Sequence, residues 1–292
     1  MEFRGAYTAL VTPFRGGRVD FEAFKTLLVR QKTARVSGVV PCGCTGEAAT
    51  LGVDERKELI RISLETVGDD LRVVPGTGTN STETTIGLTK DAEKAGAHAA
   101  MLITPYYNKP SQRGLINHYL RVAEATALPL VLYNVPGRTG VTLAADTVAE
   151  LHATGRFSAI KEAGGSVDAV SDLRSKSGIT VLSGDDSLTV PMMAIGARGV
   201  VSVVSNLYPG VVREMVENAL DGNFTGAREI HFRLLAVVRA AFVESNPSPI
   251  KAMLALEGLI ENELRPPLVP VSDKNLAAIR SAVQSFREKG GA

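Results

Sequence analysis

The chain has 292 residues, of which 45% are hydrophobic and 22% are charged, and its formal net charge is +1 at pH 7. This composition is that of a folded, soluble globular protein, long enough for one large barrel or for two smaller domains. A net charge so close to zero gives no broad attraction to nucleic acid or to an anionic membrane, so neither is expected as a partner.

Targeting signals and metal-binding patterns are not evident. Residues 1–5 lack the basic stretch followed by a long apolar one that marks a signal peptide, and no apolar run approaches the roughly 20 residues of a membrane helix. The only cysteines, Cys42 and Cys44, have one residue between them, a spacing that strains a disulfide and matches no zinc pattern. The sequence therefore predicts a cytoplasmic protein that needs no metal.

Short β-rich runs alternate with longer helical patterns along most of the chain. Strands are predicted at residues 7–12, 38–41, 72–76, 99–104, 130–134, 158–161, 180–183 and 200–204. Helices are predicted at residues 21–34, 54–67, 81–95, 112–126, 144–153, 166–176, 188–197 and 209–221. Several of the strands are almost continuously apolar, which is typical of strands buried on both faces.

Eight strand–helix units of roughly 25 residues each predict a parallel (β/α)₈ barrel, the TIM barrel. A doubly wound open sheet is the alternative, but Thr12-Pro13-Phe14 follows the first strand where a phosphate-binding glycine fingerprint would stand. After about residue 223 only helices are predicted, at residues 225–243, 249–259 and 273–289. We therefore expect a catalytic barrel at residues 1–223 and a C-terminal helical domain at residues 224–292.

Two reactive side chains are predicted where strands of the barrel end, which is where barrel enzymes build their active sites. Lys161 ends the sixth strand, where desolvation would lower its pKa and leave some free amine for imine formation with a ketone. A salt bridge, for example with Glu162, is the alternative. Tyr133 ends the fifth strand, either as a proton shuttle beside the lysine or as a core tyrosine.

Other strand ends supply groups that could hold a carboxylate. Thr45 lies in a glycine-framed turn whose backbone N–H groups could bind one, although the turn could also have no ligand. The planar guanidinium of Arg138 suits the same task, and a solvated loop arginine is the alternative. Asp185 and Asp186 are predicted to cap a helix, because no third metal ligand is evident.

Three segments together resemble the pyruvate-dependent class I aldolase superfamily: GCTGE at residues 43–47, YNVPGRTG at residues 133–140 and IKEA at residues 160–163. Within it, the chain is similar to the synthases that condense pyruvate with L-aspartate 4-semialdehyde at the entry to lysine biosynthesis by the diaminopimelate route. The likeness covers essentially the whole chain. It implies a TIM-barrel lyase without a cofactor, working as a homotetramer built from two tight dimers.

The resemblance also implies a catalytic set. Lys161 would form a Schiff base with pyruvate, and Tyr133 would relay protons. Tyr107 would reach into the neighbouring subunit and complete that relay. Cys44 stands where the family commonly has threonine, and a thiol is a weaker hydrogen-bonding group than a hydroxyl, so we expect some loss of activity.

Four further positions match the family's substrate pocket. Thr45 would bind the pyruvate carboxylate, Arg138 would hold the semialdehyde carboxylate, and Gly184 and Val201 would line the pyruvate pocket. A sister lyase that releases pyruvate from a 2-keto-3-deoxy sugar acid or from N-acetylneuraminate is an alternative, which Arg138 disfavours because a polyol needs hydroxyl partners. A non-catalytic keto-acid sensor is another, but binding alone would require neither the lysine nor the tyrosine of the catalytic set.

A regulatory lysine site is only partly matched. Asn80 and Tyr106 correspond to residues that bind lysine in inhibited members of the family. Thr84 stands where sensitive members usually carry glutamate, and Arg56 where a histidine is frequent. Glu83 could partly replace the missing carboxylate. We expect weak or absent feedback inhibition.

Overall fold

Eight parallel strands form the centre of the computed structural model, which describes residues 2–288 and residue 290. They are β1 Gly5–Ala9, β2 Gly38–Val40, β3 Arg72–Val73, β4 Ala100–Ile103, β5 Leu130–Asn134, β6 Phe157–Glu162, β7 Thr180–Ser183 and β8 Gly199–Ser202. Their spatial order is β3-β2-β1-β8-β7-β6-β5-β4. A parallel bridge between Gly76 and Met101 joins the two ends of this sheet. The predicted TIM barrel is confirmed.

A helix follows each strand and covers the outside of the barrel. These helices are α1 Phe21–Thr33, α2 Val53–Val67, α3 Thr82–Ala95, α4 Gln112–Glu124, α5 Ala145–Ala153, α6 Val167–Lys176, α7 Thr189–Ala194 and α8 Pro209–Leu220. Local sequence explains several ends. Ser81 and Ser111 accept hydrogen bonds from the first-turn N–H groups of α3 and α4, and Gly96 ends α3 with a left-handed φ of +89°.

Side chains alternate between the barrel interior and the helix layer, because successive residues of a strand point to opposite faces. In β5, Leu130 and Leu132 pack in the outer cluster, whereas Val131 and Tyr133 pack inside the barrel. In β8, Val200 is outside and Val201 inside. This alternation directs Tyr133 towards the barrel axis.

Three helices form the tail: α9 Phe224–Ala241, α10 Ser248–Leu256 and α11 Asp273–Glu288. Leu234, Ile250 and Ile279 of the tail belong to the same buried cluster as Val200 of the barrel. The tail therefore shares its core with the barrel, and the division into two domains at residue 223 stays a prediction. None of the helices within residues 2–288 is long and apolar enough to cross a membrane.

The predicted bounds lie within three residues of the observed ones, and two of the three-residue differences have local causes. The strand predicted at residues 72–76 ends at Val73, because Pro75 has no N–H to continue the ladder. The helix predicted at residues 188–197 ends at Ala194, before Gly196 with its φ of +105°. The predicted end of the last helix at residue 289 lies outside the described residues.

Candidate active site

Lys161 and Tyr133 face each other at the carboxyl ends of neighbouring strands. They are register partners in the β5–β6 pair, and Lys161 Nζ lies 4.3 Å from the centroid of the Tyr133 ring. Each is only 5% exposed. The salt bridge between Lys161 and Glu162 is not formed. Glu162 instead accepts hydrogen bonds from the side-chain amide of Asn134 (2.9 Å) and the N–H of Gly164 (2.7 Å).

The surroundings of the lysine favour its neutral form. Burial lowers the pKa of Lys161 to about 8, although Cys44 and the acidic pair Asp185 and Asp186 act in the opposite direction. At pH 7.5 roughly a quarter of such an amine is unprotonated. Burial, together with the neighbouring Cys44, raises the pKa of Tyr133 well above its usual value. The phenol therefore keeps its proton near neutral pH and can donate it.

Gly184 follows β7 and packs against the side chain of Lys161. A Cβ atom added there would lie 3.0 Å from Cε of Lys161 and 2.5 Å from Cβ of Ala163. A side chain at this position would push against Ala163 and crowd the lysine, so glycine is the residue that leaves both undisturbed. Val201, the other predicted lining residue, is buried in the barrel interior opposite Tyr7 of β1.

Thr45 and Arg138 lie at the carboxyl-terminal mouth of the barrel, and Asn246 connects them. The side-chain amide of Asn246 donates to Thr45 Oγ1 at 3.0 Å, and the carbonyl of Asn246 accepts from Arg138 Nη2, also at 3.0 Å. Asn246 is not recognisable as a site residue in the sequence, because the Asn-Pro-Ser-Pro run around it indicates only a break between tail helices. Within the described part of the chain, its buried Oδ1 has no hydrogen-bond partner.

A cleft of about 330 Å³ opens at this mouth. It is lined by Cys44, Tyr133 and Arg138, and also by Arg56 and Tyr106. Three of the predicted site residues and the predicted regulatory tyrosine therefore share one cleft.

Tyr107 and Asn80 lie apart from the lysine. The Tyr107 side chain is 88% exposed, and its φ of +73° is unusual for a residue with a side chain. Asn80 accepts a hydrogen bond from the side-chain amide of Asn108 through its carbonyl oxygen (2.8 Å). Neither residue is brought to the Lys161 amine within one subunit.

The expectation that the acidic pair caps the helix that follows it is wrong, because neither carboxylate accepts a hydrogen bond from that helix. The buried carboxylate of Asp186 accepts from the Ser202 hydroxyl and from the N–H of Val203 (2.9 Å), so it fixes the turn that follows β8. Asp185 accepts from the N–H of Gly165 at 3.2 Å. Residues 2–288 contain no cluster of three or more His, Cys, Asp or Glu side chains that could hold a metal.

The fold and this cleft define a class of protein. A TIM barrel with a buried, partly neutral lysine beside a tyrosine at the carboxyl ends of adjacent strands has the architecture of a class I aldolase-type lyase.

Comparison with known proteins identifies the family. The dihydrodipicolinate synthetase family model matches residues 2–286. The 4-hydroxy-tetrahydrodipicolinate synthases of Methanothrix thermoacetophila and Syntrophobacter fumaroxidans are 47% and 45% identical to this chain, which they match over 99% and 97% of its length and 99% of their own. The structure of the same enzyme from Methylacidiphilum fumariolicum superposes with a TM-score of 0.97, at 44% identity, over 99% of this chain and 97% of that one.

The chain therefore belongs to the dihydrodipicolinate synthetase family. It is an enzyme of this lyase type, as the sequence predicted, and membership of the family supports the synthase function. The sugar-acid lyase alternative is not favoured.

Proposed function

We propose that this chain condenses pyruvate with L-aspartate 4-semialdehyde to 4-hydroxy-tetrahydrodipicolinate through a Schiff base on Lys161. This is the first committed step of lysine biosynthesis by the diaminopimelate route. The observation that carries the assignment of the lysine is its buried amine, with a pKa of about 8, above the ring of Tyr133.

The neutral amine of Lys161 attacks the keto carbon of pyruvate, and loss of water gives the imine. Loss of a methyl proton then gives an enamine, which attacks the aldehyde carbon of the semialdehyde. The amine of the semialdehyde finally attacks the imine carbon, which closes the ring and releases Lys161. The protonated phenol of Tyr133 supplies and recovers protons in these steps, because it lies beside the amine and stays neutral. The iminium withdraws electrons, so no metal or other cofactor is needed.

The carboxylates of the two substrates are bound by Thr45 and Arg138, which Asn246 connects. Thr45 and the amides of its turn bind the pyruvate carboxylate. The position of the turn next to the cleft supports this assignment. Arg138, held by the Asn246 carbonyl, binds the semialdehyde carboxylate with its remaining guanidinium N–H groups. Gly184 leaves space beside the lysine, and Val201 closes the pocket from the barrel interior.

The active unit is an oligomer, a homotetramer made of two tight dimers, in the cytoplasm. Tyr107 supports this proposal, because a large aromatic side chain that is 88% exposed on a left-handed residue does nothing for its own subunit. It completes the proton relay of Tyr133 in the neighbouring subunit. Cys44 lies beside Tyr133 in this relay and slows the proton transfer, because its thiol makes weaker hydrogen bonds than a hydroxyl.

Borohydride reduction in the presence of pyruvate, followed by peptide mass mapping, tests the Schiff base, and a coupled assay with the semialdehyde tests the substrate. We expect a pyruvyl adduct on Lys161 together with condensation. Arg138→Ala should keep the adduct and lose condensation, which separates the two carboxylate sites. If the wild type forms the adduct but does not catalyse condensation, a sugar-acid lyase would be the better assignment. If no adduct forms on Lys161, the Schiff-base mechanism is refuted.

A further inference from the structure

A buried ion pair joins the C-terminal tail to the turn that carries Thr45. Nζ of Lys251, in α10, donates to Glu47 Oε1 at 2.6 Å and to the carbonyl of Thr12 at 2.9 Å. The exposed fractions of the two side chains are 0% for the lysine and 1% for the glutamate. The second oxygen of Glu47 accepts from the backbone N–H of Arg265 at 3.0 Å. Both charges are thus removed from water and fully paired.

Such a pair is not explained by stability alone. The cost of taking two charges out of water commonly equals or exceeds their attraction, and apolar residues of the same volume often stabilise a fold as well. The position of this pair, next to the substrate cleft, indicates another task. Glu47 itself lines that cleft.

The turn that the pair holds is strained at both ends. Cys42 and Glu47 have φ values of +57° and +54°, a region that residues with side chains rarely adopt. Backbone strain of this kind persists only where surrounding contacts fix it. At the Glu47 end, the contacts from the tail are the hydrogen bonds that the carboxylate accepts from the lysine of α10 and from the Arg265 N–H.

The strained turn, which lines the cleft with Gly43 and Cys44, has free backbone donors. The Thr12 hydroxyl holds the carbonyl of Gly46 at 2.8 Å, and there is no space for a side chain at Gly46, where a Cβ would lie 3.0 Å from the Leu10 carbonyl. Within residues 2–288, the N–H groups of Cys44 and Thr45 have no hydrogen-bond partner. Two free amides on a fixed backbone form a site for a carboxylate.

We propose that Glu47 and Lys251 form a positioning pair, which keeps the turn at residues 43–46 in its carboxylate-binding conformation and thereby sets the affinity for pyruvate. The proposal rests on the proposed function, because it takes pyruvate as the ligand of this turn. Neither residue touches the reacting atoms. The tail thus acts on the first substrate through the backbone of the turn.

The test measures steady-state kinetics of Glu47→Gln and of the double variant Glu47→Gln, Lys251→Met. The first keeps the shape of the glutamate but removes its charge and one acceptor oxygen, which leaves Lys251 without a counter-charge. The second leaves no buried charge unpaired, so it should fold even if the first does not. We expect the KM for pyruvate to rise about tenfold, with kcat and the KM for the semialdehyde changed less than about threefold. Lys176→Met, which removes the exposed ion pair of Lys176 with Asp146, is the matched control and should behave as the wild type.

The outcomes separate this proposal from the one on which it rests. If the wild type is labelled by pyruvate and borohydride but the folded variants keep its pyruvate KM, the pair is only structural and the positioning role is refuted. A fall in kcat at unchanged KM refutes it as well. If the wild type itself is not labelled, the proposed function fails, and the pyruvate-positioning role fails with it.

Discussion

Replacing Lys161 by methionine should stabilise the protein while abolishing catalysis. Methionine has nearly the same length and no charge, so the substitution removes the cost of burying an ammonium group. The difference between the usual lysine pKa of 10.5 and the value of about 8 in the folded protein corresponds to roughly 3 kcal/mol at pH 7. We therefore expect the free energy of unfolding of the variant to exceed that of the wild type by about this amount.

The sign of the pH dependence follows from the same pKa. Below pH 8 the folded wild type must keep a buried charge, and the full cost applies. As the pH rises from 8 towards 10.5, the folded lysine becomes neutral while the unfolded one stays protonated, so the cost decreases. The advantage of the variant should fall to roughly 1.4 kcal/mol at pH 9.5.

Urea unfolding at pH 7 and pH 9.5, at one protein concentration, measures this difference. Lys176→Met is the control, because Lys176 is exposed and Asp146 raises rather than lowers its pKa. It should give no stabilisation at pH 7. A Lys161→Met variant that is no more stable than the wild type at pH 7, or whose advantage does not change with pH, would refute the assignment of a buried, partly neutral amine.

Three further predictions concern the cleft. Gly184→Ala should lower kcat at least about tenfold, because the added Cβ would lie 2.5 Å from Cβ of Ala163 and 3.0 Å from Cε of Lys161 and would shift the lysine. An unchanged kcat in the folded variant would contradict this placement. Cys44→Thr should raise kcat about two- to tenfold in the coupled assay, since a hydroxyl makes stronger hydrogen bonds than a thiol and so transfers protons more readily. Equal kcat values would show that residue 44 takes no part in the proton relay. L-Lysine should not inhibit at micromolar concentration, because Thr84 offers no carboxylate and Arg56 brings a second positive charge to the cleft. Inhibition in that range would overturn the prediction. Thr84→Glu should increase the sensitivity to lysine.

The strand and helix pattern was readable from the sequence because it is a local property. The bounds predicted for β5 and β7 are those observed, since each has an apolar centre and ends at a polar residue. The regular alternation of these units predicted the barrel, and the rule that barrel sites form at the carboxyl ends of strands selected Lys161 and Tyr133. What the rule does not give is their separation or their state of ionisation, which depend on packing.

Residues that contact the site from the tail could not be predicted in this way. Asn246 and Lys251 meet Thr45 and Glu47 across 201 and 204 residues of sequence. Nothing in a periodic pattern relates positions so far apart, and a lysine within the apolar segment Ile250–Leu254 was the one local sign that a buried partner was required.

The sequence by itself determined the barrel, the class of chemistry and the strand ends that carry the reactive groups, because hydrophobic periodicity and residue type are written along the chain. The tertiary structure decided how acidic the lysine is, which groups hold the turn at residues 43–46 and how exposed Tyr107 is. Those properties arise from desolvation and from contacts between distant segments, and these exist only after the chain has folded.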